Sequence, residues 1–276
     1  MKGTETMSKS GSKAFTVVVA VFLAALFAGC GEPDAEAVIP EGMDAEAINA
    51  LGVRYDTGDG VKQDKKLAVQ YFRRAAEQGH AGAQMNLGAM LSLGEGTRRD
   101  EAEAAEWFHK AAEQGLAGAQ YNLGNCFLNG TGVKKNEREA VKWFLAAAEQ
   151  GLAEAQNNLG MCYFDARGMA QDKAEAVKWM RKAADQGYAE AQYNMGNFCR
   201  RGDGVAVDKA EAAKWYRLAA DQGYGPAEDN LGMCYLFGDG VAQDDGQALK
   251  WLSKAAAKGD KNAQAAIDWI KSGKKK

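Results

Sequence analysis

The sequence contains few of the residues on which most catalytic and metal sites depend. Its 276 residues include only two histidines, His80 and His109, and only three serines after residue 29. A nucleophile needs a base beside it, and neither histidine has an evident serine or cysteine partner. A Ser-x-x-Lys match, Ser10 to Lys13, lies in the N-terminal segment. We therefore predict no catalytic residue, no metal ligand and no cofactor.

An excess of charge of one sign is also absent, and prolines are few. The 34 basic residues nearly balance the 37 acidic ones, whereas nucleic-acid-binding proteins need a basic stripe. An apolar content of 46% is enough for a core and excludes a mainly disordered chain. Three prolines beside 33 glycines do not fit collagen. The chain is predicted to fold as a globular or repeat protein that does not bind nucleic acid.

The first thirty residues have the layout of an export signal. Three lysines precede an uncharged run from Ala14 to Ala28, which is shorter than the roughly 20 residues of a membrane span. A positive leader, a short apolar run and small residues at the cut are typical of a signal peptide. The string Leu26-Phe27-Ala28-Gly29-Cys30 resembles the lipobox of bacterial lipoproteins. The resemblance implies that residues 1–29 are removed and that Cys30 is acylated.

Two alternatives remain for this segment, namely secretion without a lipid and a leader that is retained as an anchor. Gly31 stands where inner-membrane lipoproteins of enteric bacteria carry Asp. For a Gram-negative envelope this implies a location at the outer membrane, facing the periplasm. Residues 30–44 contain two prolines and several acidic residues and are predicted to form a tether. At roughly 3.3 Å per residue the tether reaches about 40 Å.

From residue 45 onward the sequence repeats every 36 residues. Two glycine columns, one alanine column and one aromatic column keep this spacing. They are Gly52, Gly88, Gly124, Gly160, Gly196 and Gly232; Gly60, Gly96, Gly132, Gly168, Gly204 and Gly240; Ala68, Ala104, Ala140, Ala176, Ala212 and Ala248; and Tyr71, Trp107, Trp143, Trp179, Trp215 and Trp251. The six repeats are 45–80, 81–116, 117–152, 153–188, 189–224 and 225–260. A strict period of this length predicts a repeat protein in which each unit packs on its neighbours.

Within a repeat, the hydrophobic spacing predicts two amphipathic helices. In the third repeat one apolar stripe starts at Ala119 and a second runs from Ala140 to Ala148. Asn136, which is Asp in the other repeats, is predicted to cap the second helix. Charged residues on the second helices are predicted to form i,i+3 pairs on a solvated face. These pairs are Glu139 with Lys142, Glu175 with Lys178, and Glu211 with Lys214.

The third repeat also carries a family resemblance. It contains Ala-Gln-Tyr-Asn-Leu-Gly-Asn-Cys-Phe-Leu-Asn-Gly-Thr-Gly-Val from Ala119, then Ala-Val-Lys-Trp-Phe from Ala140 and Ala-Ala-Ala-Glu-Gln-Gly from Ala146. These strings resemble the Sel1-like repeat, a relative of the tetratricopeptide repeat, over residues 45–260. The resemblance implies an all-α, right-handed α/α superhelical solenoid whose first helices line a concave surface that holds other proteins. Residues 261–276 are predicted to add a capping helix and a basic tail.

Four cysteines follow Cys30, one in each repeat from the third to the sixth. They are Cys126, Cys162, Cys199 and Cys234. An even number of cysteines in an exported protein suggests disulfides. A bridge, however, needs Cα atoms within about 7 Å, and packed helix axes lie roughly 8 to 10 Å apart. We predict buried free thiols.

The face of each first helix opposite the core stripe carries an asparagine in five repeats. Tyrosines, methionines and a phenylalanine surround this row. The predicted partner-binding groove consists of Asn86, Asn122, Asn158, Asn194, Asn230, Tyr121, Tyr193, Met85, Met161, Met233 and Phe237. Because a side-chain amide both donates and accepts hydrogen bonds, such a row suits the backbone of an extended peptide. The alternative is that each amide bonds to the adjacent repeat and aligns the stack, and both roles are compatible.

Together these observations predict a lipid-anchored scaffold of the bacterial cell envelope that binds a protein or peptide partner. It is predicted to contact the membrane only through its N-terminal lipid and to break no bond. Two alternatives stay open. One is an exported hydrolase, because exported cysteine-rich relatives have been linked to β-lactam hydrolysis. The other is a structural organiser of the cell-envelope polysaccharide machinery.

Overall fold

The computed structural model describes residues 42–273, and every regular element in that range is a helix. The thirteen helices of this range are α1 (Ala45–Thr57), α2 (Lys65–Glu77), α3 (Ala81–Leu93), α4 (Glu101–Glu113), α5 (Ala117–Asn129), α6 (Glu137–Glu149), α7 (Ala153–Asp165), α8 (Lys173–Asp185), α9 (Ala189–Arg201), α10 (Lys209–Asp221), α11 (Gly225–Phe237), α12 (Asp245–Ala257) and α13 (Lys261–Lys271). They form consecutive helix-turn-helix pairs, which confirms the predicted all-α solenoid of six repeats with a C-terminal helix. None of these described helices is long and apolar enough to be a membrane span.

The helices fall into two compact units divided after Lys135. Unit 1 contains α1 to α5, and unit 2 contains α6 to α13. Within each unit every helix packs against the helix before it and the helix after it. The predicted leader (residues 1–29), the predicted acylation site Cys30, residues 31–41 of the predicted tether and the last three lysines lie outside the described residues.

Side-chain caps begin the second helix of every repeat. In the first repeat, the Asp64 carboxylate accepts a hydrogen bond of 3.0 Å from the backbone N–H of Leu67. Asp100, Asn136, Asp172, Asp208 and Asp244 cap their helices in the same way. Such a cap satisfies one of the backbone N–H groups that the first turn leaves without a partner. The predicted capping role of this column is confirmed.

The first helix of each repeat ends at a residue with positive φ. This residue is Gly in five repeats and Ala166, with φ of 60°, in the fourth. Ala166 is the one non-glycine residue with positive φ among residues 42–273. A left-handed conformation costs an L residue about 1–2 kcal/mol. The surrounding helix pair therefore holds Ala166 in a conformation for which the other repeats have glycine.

The first glycine column lets the two helices of a repeat approach closely. A Cβ atom at Gly88 would lie 2.8 Å from the ring of Phe108, on the second helix of the same repeat. The alanine column is buried throughout. In the aromatic column Tyr71, Trp107, Trp179 and Trp251 are buried, whereas Trp143 and Trp215 are half-buried. The predicted core positions are therefore confirmed, with two tryptophans reaching the surface.

The second glycine column packs one repeat onto the next. Gly132 has φ of 71°, and a Cβ atom there would overlap the carbonyl oxygen of Glu101, in the preceding repeat of unit 1. Gly96 meets the carbonyl oxygen of Lys65 in the same way. Gly60 also has positive φ, but its Cβ atom would approach only the end of the Arg54 side chain. Gly132 is thus required both for its backbone conformation and for the contact between repeats.

The C-terminal helix α13 continues the 36-residue register as the first helix of a further repeat. Ala263 and Ile267 are buried and stand 36 residues after Ala227 and Leu231 of α11. Asp268 takes the place of the glycine that would admit a second helix, so α13 has the core face of a repeat without the position for a partner helix.

We expect Gly132→Ala to lower the free energy of unfolding by about 3 kcal/mol. This combines about 1–2 kcal/mol for the left-handed conformation with about 1–3 kcal/mol for the displaced neighbour. Gly60→Ala is the matched control in the same unit and should cost only the first contribution. Urea denaturation followed by circular dichroism measures both variants. Equal losses would mean that the contact with Glu101 does not constrain the stack.

Candidate functional site

The predicted binding residues lie on the first helices of each unit, and we call the surface that they form within a unit the amide face of that unit. In unit 1 it comprises Met85 and Asn86 of α3 with Tyr121 and Asn122 of α5, all half-buried. In unit 2 it comprises Asn158 and Met161 of α7, Tyr193 and Asn194 of α9, and Asn230, Met233 and Phe237 of α11. All of these are half-buried except Phe237, which is 59% exposed.

The predicted amides Asn86, Asn194 and Asn230 bond to the preceding repeat. Asn194 Nδ2 donates to Asn157 Oδ1 at 3.0 Å in unit 2. Asn86 donates to Asn49 at 3.4 Å in unit 1, and Asn230 donates to Asn197 at 3.5 Å in unit 2. These contacts support the alignment role. Each uses one of the two donors of a primary amide, so they leave capacity for a bound peptide.

A buried polar network supports the strongest of these contacts. Asn157 is fully buried, and its Nδ2 donates to Glu190 Oε1 at 3.3 Å. The hydroxyl of Tyr188 donates to the other oxygen of Glu190 at 3.2 Å. Sequence reasoning missed Asn157 and Glu190. The sequence signal for this network is that Asn157 stands where the neighbouring repeats have tyrosine. A buried amide requires hydrogen-bond partners.

A second network, also missed from the sequence, consists of buried glutamines at the fourth residue of the repeats. In unit 1, Gln84 Nε2 donates at 3.2 Å to the carbonyl of Ala76 in the preceding repeat. Gln84 Oε1 accepts at 2.7 Å from Gln114, in its own repeat. Gln156 and Gln192 have the equivalent partners in unit 2. Each glutamine therefore joins the end of one repeat to the start of the next.

The sixth repeat replaces both members of this glutamine pair. Glu228 is 2% exposed, and Lys258 Nζ lies 2.7 Å from its Oε2. Lys258 also donates to the carbonyl of Gly223 at 2.6 Å. A buried carboxylate without its cation is strongly destabilising. The two changes therefore preserve one donor–acceptor contact, and we interpret the charged pair as structural.

The four described cysteines are free and buried, as predicted. Burial raises the pKa of both Cys162 and Cys234 to about 11, and it also raises the pKa of Cys126 and Cys199. Because the thiolate is the nucleophile, protonated and inaccessible thiols do not provide a hydrolase with its reactive group. Among residues 42–273 no group of His, Cys, Asp and Glu could hold a metal ion.

Two of the three predicted i,i+3 ion pairs are confirmed. Glu139 lies 2.5 Å from Lys142, and Glu175 lies 2.7 Å from Lys178. The prediction for Glu211 is wrong, because this carboxylate pairs at 3.2 Å with Arg181 of the preceding repeat and accepts a hydrogen bond from Trp215. The residue thus joins two repeats instead of lying on a solvated face.

Comparisons with known proteins agree on a family. The Sel1 repeat model matches residues 45–80, 81–116, 117–152, 153–188, 189–224 and 225–260. One similar solved structure is a protective antigen of uropathogenic Escherichia coli with an SLR fold (40% identity, TM-score 0.77), which covers 82% of this chain. This chain spans only 49% of that antigen. No curated protein sequence matches.

Two further structures extend this comparison. A Sel1 repeat protein from Oxalobacter formigenes is 30% identical, with a TM-score of 0.79 over 92% of this chain and 76% of that one. An immunity protein from Pseudomonas aeruginosa, at 21% identity and a TM-score of 0.50 over 86% and 90% of the two chains, shares the fold alone.

We expect Asn194→Ala to lower the free energy of unfolding by about 1–3 kcal/mol, because the oxygen of buried Asn157 loses its donor. Asn230→Ala is the matched control, since its bond is at the limit of hydrogen-bond distance, and it should cost clearly less. Thermal and urea denaturation compare the two variants. Equal losses would contradict the alignment role assigned to Asn194.

Proposed function

This chain belongs to the Sel1 repeat family, whose members generally bind protein partners, and we propose that it is an envelope-anchored scaffold that holds a protein or peptide on its amide face. The family is generally non-catalytic. Binding without bond-making also agrees with the protonated, buried thiols. The mechanism is recognition by amides, thioethers and aromatic rings on the first helices.

The observation that carries this proposal is the exposed end of the amide face in unit 2. Phe237 is 59% exposed, and its ring centroid lies 6.3 Å from that of Trp269 on α13. Met233 and Asn230 lie on the same helix, one and two turns earlier. Aromatic residues and methionine are enriched in interfaces, where they anchor apolar side chains of the partner. Neighbouring amides are suited to pairing with the partner's backbone.

The anchoring part of the proposal rests on the sequence. Acylation of Cys30 would attach the chain to a membrane, and more than one acyl chain is what stable anchoring requires. We place the protein at the outer membrane, facing the periplasm, because Gly31 follows the cysteine. The tether would then hold the repeats within about 40 Å of that membrane.

A photo-crosslinking amino acid at Phe237 tests the binding surface. In cells, p-benzoylphenylalanine at this position should give a discrete crosslinked product whose second component is identified by mass spectrometry. Leu218 is the matched control, because it is an exposed apolar residue of unit 2 on a second helix, 48% exposed. We expect no discrete product from Leu218. The same product from both positions, or none from Phe237, would contradict binding on the amide face.

The anchor has a separate test. We expect the intact mass of the purified protein to show a chain that begins at Cys30 and carries acyl groups. Cys30→Ser should abolish this modification and move the protein from the membrane fraction to the soluble fraction. An unmodified Cys30 would refute the anchor while leaving the crosslinking result unaffected.

A further inference from the structure

The loops between the two helices of each repeat differ systematically between the two units. Their fifth residue is Lys62, Arg98 and Lys134 in the first three repeats, all in unit 1. At the same position the last three repeats have Ala170, Ala206 and Ala242. Since alanine satisfies the loop conformation three times, the turn itself does not require a cation in unit 1.

The three cations are exposed, and the described residues form no hydrogen bond or ion pair with their side chains. The acidic residues of the same loops are, by contrast, mostly engaged. Asp64 and Asp100 cap α2 and α4, and Glu95 lies 2.8 Å from Lys65. Most acidic side chains of these two loops are therefore paired within the protein, whereas Lys62 and Arg98 face solvent.

The stacking of unit 1 places these loops along one edge. Gly96 in the second loop packs on the start of α2, which directly follows the first loop, and Gly132 in the third loop packs on the start of α4. Neighbouring helices lie roughly 8–10 Å apart, so the cations form a row and not three isolated charges. We call this row, Lys62, Arg98 and Lys134, the basic edge.

The wider charge balance of the loops follows the same division. Loops 58–64, 94–100 and 130–135 of unit 1 contain five basic and four acidic residues. Loops 166–172, 202–208 and 238–244 of unit 2 contain one basic and five acidic residues. An anionic surface would therefore favour the edge of unit 1 and repel the loops of unit 2.

We infer that the basic edge of unit 1 contacts the anionic phospholipid headgroups of the membrane to which Cys30 is attached. The inference rests on the proposed anchor for its setting, because the cations at this loop position are confined to the unit that directly follows the tether, whose own reach is about 40 Å. The alanines at the equivalent loop residues of unit 2 lack the charge for such a contact. The contact extends the membrane interaction beyond the N-terminal lipid and presents unit 1 to the membrane by one defined edge.

The test uses residues 30–276 with Cys30→Ser, which keep both units and cannot be acylated. Vesicles of pure phosphatidylcholine are compared with vesicles of equal parts phosphatidylcholine and phosphatidylglycerol, by co-sedimentation at an ionic strength that gives a Debye length of about 10 Å. We expect binding to the anionic vesicles only, and weakening of that binding by added salt.

Substitutions then assign the effect to the basic edge. Lys62→Ala, Arg98→Ala and Lys134→Ala together introduce the residue that unit 2 has at this loop position, so the fold should be retained. We expect them to weaken binding by about 100-fold, the effect of three cations at about 1 kcal/mol each. The control triple Lys142→Ala, Lys178→Ala and Lys214→Ala changes the net charge equally on second helices of unit 2 and should leave binding unchanged.

Three outcomes would overturn the inference. They are no binding of the unsubstituted chain to anionic vesicles, equal loss from both triple variants, and binding to soluble polyglutamate, but not to vesicles, that depends on the basic edge. The third outcome would indicate an acidic protein as the ligand. Because the tested chain lacks the acylation site, failure here is independent of the intact-mass result for Cys30.

Discussion

The close packing that the two glycine columns allow is the constraint on which the rest of the structure depends. One column brings together the two helices of a repeat, as at Gly88 against Phe108, and the other packs a loop on the preceding repeat, as at Gly132 against Glu101. Side chains at either column would separate the layers. The alanines and aromatic residues of the core could then no longer fill the space between helices, because interiors tolerate few voids. The period of 36 residues is therefore explained by packing, without reference to the binding of a partner.

Close packing also exposes backbone carbonyls at the end of each second helix to the neighbouring repeat, and the buried glutamines satisfy them. Gln84 bonds to the carbonyl of Ala76 and receives a bond from Gln114. Gln84, Gln156 and Gln192 each have defined partners, which makes the register of neighbouring repeats specific as well as stable. The amide face lies on the same first helices, so the groups proposed to bind a partner are held by an interface that is already aligned. Such preorganisation lowers the entropic cost of binding.

The helices, their caps and the core columns could be predicted because they repeat, and six copies of one pattern make local preferences unambiguous. The side-chain networks could not, since they depend on which residues meet across repeats. Glu211 has the spacing of an intrahelical pair with Lys214, yet Arg181 of the preceding repeat is its partner. Asn157 resembles any surface amide in the sequence but is fully buried. The asparagines of the amide face were predicted as a row, with bonding to the adjacent repeat as one of two roles, whereas the acceptor of each bond emerged only from the stacked helices.

A repeat protein offers an internal control that a single-domain protein lacks, because equivalent positions share one backbone environment. A residue that departs from the pattern can then be interpreted from the contacts that its side chain makes. Glu228 and Lys258 changed together and kept one contact, which is the mark of a structural substitution. Lys62, Arg98 and Lys134 depart from the alanines of unit 2 at exposed positions where no packing or hydrogen bond depends on them. Stability provides no reason for such a difference, since exposed charges contribute little to it. A difference confined to consecutive repeats and directed to solvent instead points to a surface that this unit meets and the other does not.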